Sequence, residues 1–431
     1  MASFAKAQNL KGCTVTPLRD GTRTPFLFVQ IDASHDYQGP HSVLIYGHMD
    51  KQPFGDGWLT SPTDPVIREG KLYGRGSSDD CYAFFSAILA VKACQETGLA
   101  HPRVVISIEG CEEGGTLEDL KHYMTTYKGI IGEPDVVICL DSDAFRDDTL
   151  VISSSLRGYI SKRLQLNRLL VFDLEVSAFE ENLHSGYSGI VPDPFHIAMM
   201  LVNRLVDFKT HKVAEPFHVD IPEHRKQECE FAAKELPSMV KMLPVKEGLH
   251  SIAHGSATEN FELILNSTWL PQLTVTGLEG LPGSLQDASN SIKRSVTVRC
   301  SLRLPPTLPA ETAKELVSGI VLKEPHPYGA QVSIKQSYGD NGFDTRALDP
   351  AVKNAFFEAN KAVFGGNEPI FVGCGGSIPF MEFFSQMYPQ ANFLLTGVGF
   401  PDSNAHAANE NLDLEFCRKL ISAVAITLAK L

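Results

Sequence analysis

The 431-residue chain has no uninterrupted run of 18 or more apolar residues, so the usual signature of a membrane-spanning helix is missing. Its first residues, MASFAKAQNLKGC, lack the apolar stretch of an export signal. The expectation is a soluble, cytoplasmic protein with no membrane partner. Basic side chains are outnumbered: 38 Lys and Arg face 51 Asp and Glu, a formal charge of −13. No Lys/Arg run is long enough to track a phosphate backbone, so nucleic acid is not an expected partner. The nine cysteines are odd in number and show no C-x-x-C spacing. They read as reduced, mostly buried thiols rather than a disulfide framework. Internal repeats and low-complexity segments are also lacking.

What is present is ordinary globular composition, 43% hydrophobic and 21% charged, in a chain longer than a single core usually serves. Two domains are expected. The first third alternates β-branched runs with helical patterns: FLFVQID, VLIYGH, the hairpin-like PVIREGKLYG, a helix from Asp80 to Thr97, RVVISIEG, LEDLKHYM and DVVICLD. This is α/β grammar. After SSSLRG the strands lengthen, and DPFHIAMMLVNRLVDF places Phe195, Met199, Val202 and Val206 at helical spacing. A helix from Pro309 to Leu322 and the strand AQVSIKQ follow, and residues 338–344 read as a linker. The α/β pattern then returns with a helix Pro350–Phe364, PIFVG, ANFLLTG and a closing helix Leu412–Leu431. The simplest layout is a discontinuous domain, residues 1–155 and 338–431, carrying an inserted domain, residues 156–337.

Candidate chemistry lies where strands stop. His48 and Asp50 end VLIYGH; an H-x-D triplet alone means little, but at a strand end the Asp can orient the imidazole. Asp79 and Asp80 close GRGSSDD, where the bland alternative is a helix N-cap. Glu112 and Glu113 follow RVVISIEG, and two like charges side by side call for a cation. Asp141 ends DVVICL, a costly place for an unpartnered carboxylate. His406 sits in the polar turn GFPDSNAHAANEN, where an ordinary loop histidine is the alternative. Together, two His and several carboxylates form a mixed N/O set suited to zinc or manganese with open positions. Calcium, which prefers oxygen ligands, fits less well.

This order, with LHSG in the middle of the chain and GGSIP before the last His, resembles the dinuclear zinc exopeptidase family of carnosine dipeptidases, glutamate carboxypeptidase and succinyl-diaminopimelate desuccinylase. GHMDKQP, GKLYGRGSSDD, SLRG, HSG and GGSIP look closest to its dipeptidase-like branch. The resemblance spans essentially the whole chain. It implies a catalytic domain with a mixed sheet flanked by helices, and an inserted α+β lid that also dimerises. It further implies two divalent metal ions per chain, zinc first, with manganese or cobalt as alternatives. By position, His48 and Asp141 would hold one ion, Glu113 and His406 the other, and Asp79 would bridge them. Glu112 would be the general base acting on a metal-bridged water. Asp50 would hold His48, and the Asp79–Asp80 peptide would be cis.

The same family pattern makes His184 a group that reaches into the partner subunit's site and stabilises the oxyanion. Arg303, Asn290, Ser377 and Gly376 would contact the substrate, the guanidinium taking a terminal carboxylate. Two departures fall near the substrate: Cys81-Tyr82 stands where Lys-Gly commonly follows the Asp pair, and Gly373-Cys374 where Arg-Glu often precedes GGSIP. The expected activity is metal-dependent hydrolysis of a terminal amide in a small peptide. An N-acyl amino acid deacylase or desuccinylase would use the same groups. A non-catalytic binding protein on the same fold would have lost metal ligands, yet every one is present.

Overall fold

The computed structural model describes all residues except 115–116, 158–169, 244, 253–258, 339–340 and 377–378. In chain order the first part contains α1 (Ala2–Ala7), β1 (Cys13–Leu18), β2 (Phe26–Ile31), β3 (Ser42–His48), β4 (Val66–Arg68), β5 (Lys71–Tyr73), α2 (Cys81–Thr97), β6 (Arg103–Glu109), α3 (Leu117–Thr126), α4 (Lys128–Ile131), β7 (Val136–Cys139) and β8 (Val151–Leu156). The middle contains β9 (Leu170–Ser177), β10 (Leu183–His184), α5 (Pro194–Val202), α6 (Glu223–Glu235), α7 (Glu259–Thr268), β11 (Gln272–Glu279), β12 (Ser291–Ile292), β13 (Ser295–Arg303), α8 (Ala310–Val321) and β14 (Gln331–Tyr338). The last part contains β15 (Phe343–Asp344), α9 (Pro350–Val363), β16 (Ile370–Cys374), α10 (Pro379–Met387), β17 (Asn392–Leu395), β18 (Asn411–Asp413) and α11 (Leu414–Lys430).

The main sheet runs β1-β2-β6-β3-β7-β17. It is antiparallel at β1–β2–β6 and parallel from β6 through β17. Its central strands read as unbroken apolar runs because helices cover both faces. Along β3, Val43 and Ile45 face a core shared with α2, α9 and α11. Leu44 and Tyr46 face the opposite core, with Tyr123 of α3 and Phe380 and Phe384 of α10. The hairpin β4–β5 turns at Glu69 (φ 49°) and Gly70 (φ 78°), the two-residue geometry that matches strand twist. The fold is thus α/β, a mixed sheet flanked by helices, as expected.

The four-stranded antiparallel sheet β11-β13-β9-β14 stands apart from it. Val296, Val298, Cys300 and Leu302 alternate inward along β13 onto α5 and α8. Helix α5 is shorter than the sequence pattern implied. It stops at Val202, and its core face is Ile197, Ala198, Leu201 and Val202, with Phe195 and Met199 only partly buried. Beyond it, Arg204 N–H and Leu205 N–H bond three residues back, and Val206 bridges to Val213. Residues 338–344 contain β15, which pairs with β8; Gly339 and Asp340 lie outside the described residues.

Helices α6 and α7 fall within residues 156–337 but pack on the sheet β15-β8-β16. Cys229, Ala232, Ile264 and Trp269 form a core there with Val151, Ile370 and Val372. Buried Arg225 locks this junction: it pairs with Glu228 at 2.8 Å and Asp344 at 2.9 Å, and donates to the Thr345 carbonyl at 2.6 Å. All nine cysteines are free.

Candidate metal centre

Parallel strands β6, β3 and β7 lie side by side, and each delivers its polar cluster just past its C-terminal end, where open α/β sheets place ligands. β3 ends in His48 itself, β6 leads to Glu112 and Glu113, and β7 leads to Asp141. Asp79 arrives from the loop before α2, and His406 from the loop after β17. The fully buried His48 ring presents Nε2 at 3.0 Å from Asp79 Oδ1 and 3.9 Å from Asp141 Oδ2. The other Asp79 oxygen, Oδ2, is 2.8 Å from His406 Nε2, which is 3.2 Å from Glu113 Oε1. One carboxylate therefore faces two histidines, one through each oxygen. Two groups result, His48–Asp79–Asp141 and Asp79–Glu113–His406, each with donor atoms within 4.8 Å of one another.

Asp50 holds the cluster from below, though not as a same-face strand neighbour, because β3 ends at His48. His48 Nδ1 is 3.1 Å from the Asp50 carbonyl and 3.4 Å from its carboxylate. That carboxylate also accepts the N–H groups of Glu112 (3.1 Å) and Gly114 (2.9 Å), fixing the Glu112–Glu113 turn. The Asp79–Asp80 peptide is cis. Asp80 does not cap α2 with its side chain; Oδ2 accepts the His48 N–H at 3.1 Å.

The electrostatics are those of a site short of positive charge. Burial pushes Asp141 up from 3.8 to about 7 and Glu112 well above the carboxylate range. Burial opposes the charge on His48, yet hydrogen bonds to Asp50 and Asp79 and the charge of Asp141 carry it well above 6.5. Hydrogen bonds to Asp79 and Glu113 carry His406 to about 11. Carboxylates crowded this closely ionise together only beside a cation. Glu113 Oε1 is moreover buried, with no partner beyond the His406 ring at 3.2 Å. Imidazole and carboxylate donors in two triads fit a pair of divalent ions of the zinc or manganese type.

Several functional groups carry no local sequence signal. Buried Glu410 receives Arg75, and Gln52 Nε2 donates to Glu113 Oε2. Only the proximity of Gln52 to the H-x-D triplet could have marked it.

The groups expected on the substrate side are arranged differently. His184 and Asn290 meet at the two-residue ladder β10–β12, where Ser185 N–H donates to the Asn290 carbonyl at 3.0 Å. His184 is exposed and bonds Gly186 N–H, not a metal ligand. Arg303 ends β13 and reaches the Gly375 carbonyl at 3.4 Å. The Gly376 N–H turns to Cys374 Sγ at 3.3 Å, which faces Asp143 at the same distance. Ser377 lies outside the described residues. Of the departures, Cys81 takes a 2.7 Å contact from Lys51 Nζ, whereas Tyr82 is buried and donates to the Leu140 carbonyl.

Comparison with known proteins agrees with this geometry. The profile of peptidase family M20/M25/M40 matches residues 44–430. The chain belongs to that family. It is 28% identical over 410 residues to a Cys-Gly metallodipeptidase of Schizosaccharomyces pombe, covering 92% of this chain and 81% of that one. A cysteinylglycine-S-conjugate dipeptidase of Corynebacterium striatum is 26% identical over 377 residues, 86% and 77% of the two chains. The M20 family metallo-carboxypeptidase of Sulfolobus solfataricus shares the fold at a TM-score of 0.76 and 20% identity, over 100% of this chain and 92% of that one. As a member of this family, the chain is a metal-dependent exopeptidase.

Proposed function

We propose that this M20 peptidase cleaves the single peptide bond of a dipeptide, using two zinc ions held by His48 and Asp141 on one side, Glu113 and His406 on the other, and Asp79 between them. The observation that carries the reading is Asp79, whose two oxygens face separate histidines. Bound there, the ions would polarise the scissile carbonyl and lower the pKa of an attacking water. Glu112, raised by burial and held through its N–H by Asp50, takes the proton from that water and passes it to the leaving nitrogen. Arg303 receives the terminal carboxylate of the substrate, with the Gly375–Gly376 turn beside it. An acylated amino acid carries the same carboxylate, but the relatives spanning most of the chain are dipeptidases.

In this reading the sheet β11-β13-β9-β14 with α5 and α8 is the lid, and helices α6 and α7 belong with the catalytic body on which they pack. His184, exposed and remote in bonding from the metals, serves the partner subunit of a homodimer, with Asn290 next to it. Free cysteines at all nine positions are what a reducing cytoplasm maintains. No helix among the described residues is long and apolar enough to cross a membrane.

The test is metal content by elemental analysis, followed by amino-acid release from Cys-Gly, β-Ala-His and N-acyl amino acids with and without chelator. Two zinc per chain with chelator-sensitive dipeptide cleavage is expected. Turnover of the acyl amino acids alone would make the protein a deacylase, and absence of bound metal would overturn the mechanism.

A further inference from the structure

Three loops meet beside the second triad: residues 74–80, which carry Asp79, residues 403–411, which carry His406, and residues 52–59, whose Gln52 donates to Glu113. All three are tied, directly or through Arg75, to one buried side chain. Glu410 has no solvent exposure and lies four residues after His406. Its Oε1 accepts the N–H groups of Ser78 (3.0 Å) and Asp79 (3.1 Å) and the Ser78 hydroxyl (3.2 Å). Its Oε2 accepts Gly76 N–H at 2.9 Å and Arg75 Nη1 at 2.8 Å. The same guanidinium donates to the Pro53 carbonyl at 3.1 Å and lies over the Trp58 ring. That segment begins with Gln52, the donor to Glu113.

The His406 loop needs such a hold. Asn404, His406 and Asn409 all have positive φ, at 54°, 63° and 63°, a region that non-glycine residues keep only where the surroundings impose it. Asn409 is fastened on its outer side: it accepts Leu59 N–H at 2.8 Å and donates to the Gly57 carbonyl at 3.2 Å. The first triad is built otherwise. His48 is the last residue of a central strand and Asp141 follows its neighbour β7, so the sheet sets two of its three members.

We propose that Glu410, clamped by Arg75, is a positioning residue that presets Asp79 and His406 for the ion shared by Asp79, Glu113 and His406. This rests on the two-metal reading. The two ions then differ in what supports them, the first on the sheet and the second on a buried carboxylate. A glutamine there keeps one acceptor oxygen and sets an NH2 where the other stood, so the Ser78 and Asp79 N–H groups or the Gly76 N–H and Arg75 lose their acceptor. Asp79 serves both groups, but His406, on the same loop as Glu410, serves the second alone, so the larger loss falls on the second ion.

The experiment is a calorimetric zinc titration of the metal-stripped protein, wild type against Glu410→Gln. Wild type should show two sites. In the variant, one site should lose roughly tenfold or more in affinity, leaving it the weaker of the two, while the other stays within about threefold, the scale of outer-shell effects on metal affinity. The kcat should fall with KM little changed. Equal losses at both sites, or none, overturn the assignment while leaving the two-metal reading intact. A wild-type protein that binds no zinc overturns both. Should Glu410→Gln fail to fold, Asn409→Gly loosens the same loop from outside while keeping its left-handed backbone accessible, and must show the same one-sided loss; an unchanged weaker site overturns the proposal.

Discussion

Among single residues, Glu112 and Asp141 make the sharpest demands. Glu112 is not in either donor group, so Glu112→Gln should keep both metals by elemental analysis while kcat falls by roughly 10²–10⁴-fold. Asp141 gives a pH signature. Burial raises its folded value from 3.8 to about 7, so the metal-free folded state holds a proton that the unfolded chain has released. Its contribution to stability is present below pH 4 and is lost as pH rises toward 7. A bound divalent ion replaces that proton. The increase in Tm on adding zinc should therefore grow between pH 4.5 and 7 in thermal scans; an increment that shrinks over this range would contradict the assignment. Of the candidate ligands, His48, Glu113 and Asp141 were legible in the sequence because each stands at or just past an apolar strand run, where a carboxylate or imidazole needs an explanation; Asp79 and His406 lie in polar loops and drew notice only in company with the others. Glu410 was not legible. Its partner Arg75 is 335 residues away, and nothing local distinguishes an internal clamp from a solvated acid. Asp80 misled for the opposite reason: it occupies an N-cap position, yet the His48 N–H competes successfully for its carboxylate.

At the scale of elements, the hairpin β4–β5 and the parallel strands were readable from periodicity and turn chemistry. The assignment of α6 and α7 to a sheet was not, because an apolar helix face says that it is covered without saying by what. Arg225 decides the matter in the folded chain. With its side chain 4% exposed and bonded to Glu228, Asp344 and Thr345, its loss strands two carboxylates at a buried junction. Arg225→Ala should cost about 3 kcal/mol in urea unfolding. A loss within experimental error would mean that the α6–β8 junction is held by the Trp269 core alone. Helix α5 teaches a related lesson, since helical spacing continued past Val202 into a stretch whose backbone turns instead.

For the whole molecule, the open question is how many chains make one site. His184 lies in a small ladder with Asn290 at its edge, on the lid side of the proposed arrangement, while the candidate metal-binding groups gather past the ends of β6, β3 and β7. If His184 serves a neighbouring chain, His184→Ala and Glu112→Gln should each be inactive, and a refolded mixture of the two should recover turnover. Light scattering should give a dimer for each. A mixture that stays inactive would place the whole reaction within one chain.

The ligand positions also impose an order on biosynthesis. His48, Asp79 and Asp141 are all synthesised before His406, which follows Asp141 by 265 residues. Until His406 has left the ribosome, a growing chain can assemble at most the first of the two groups.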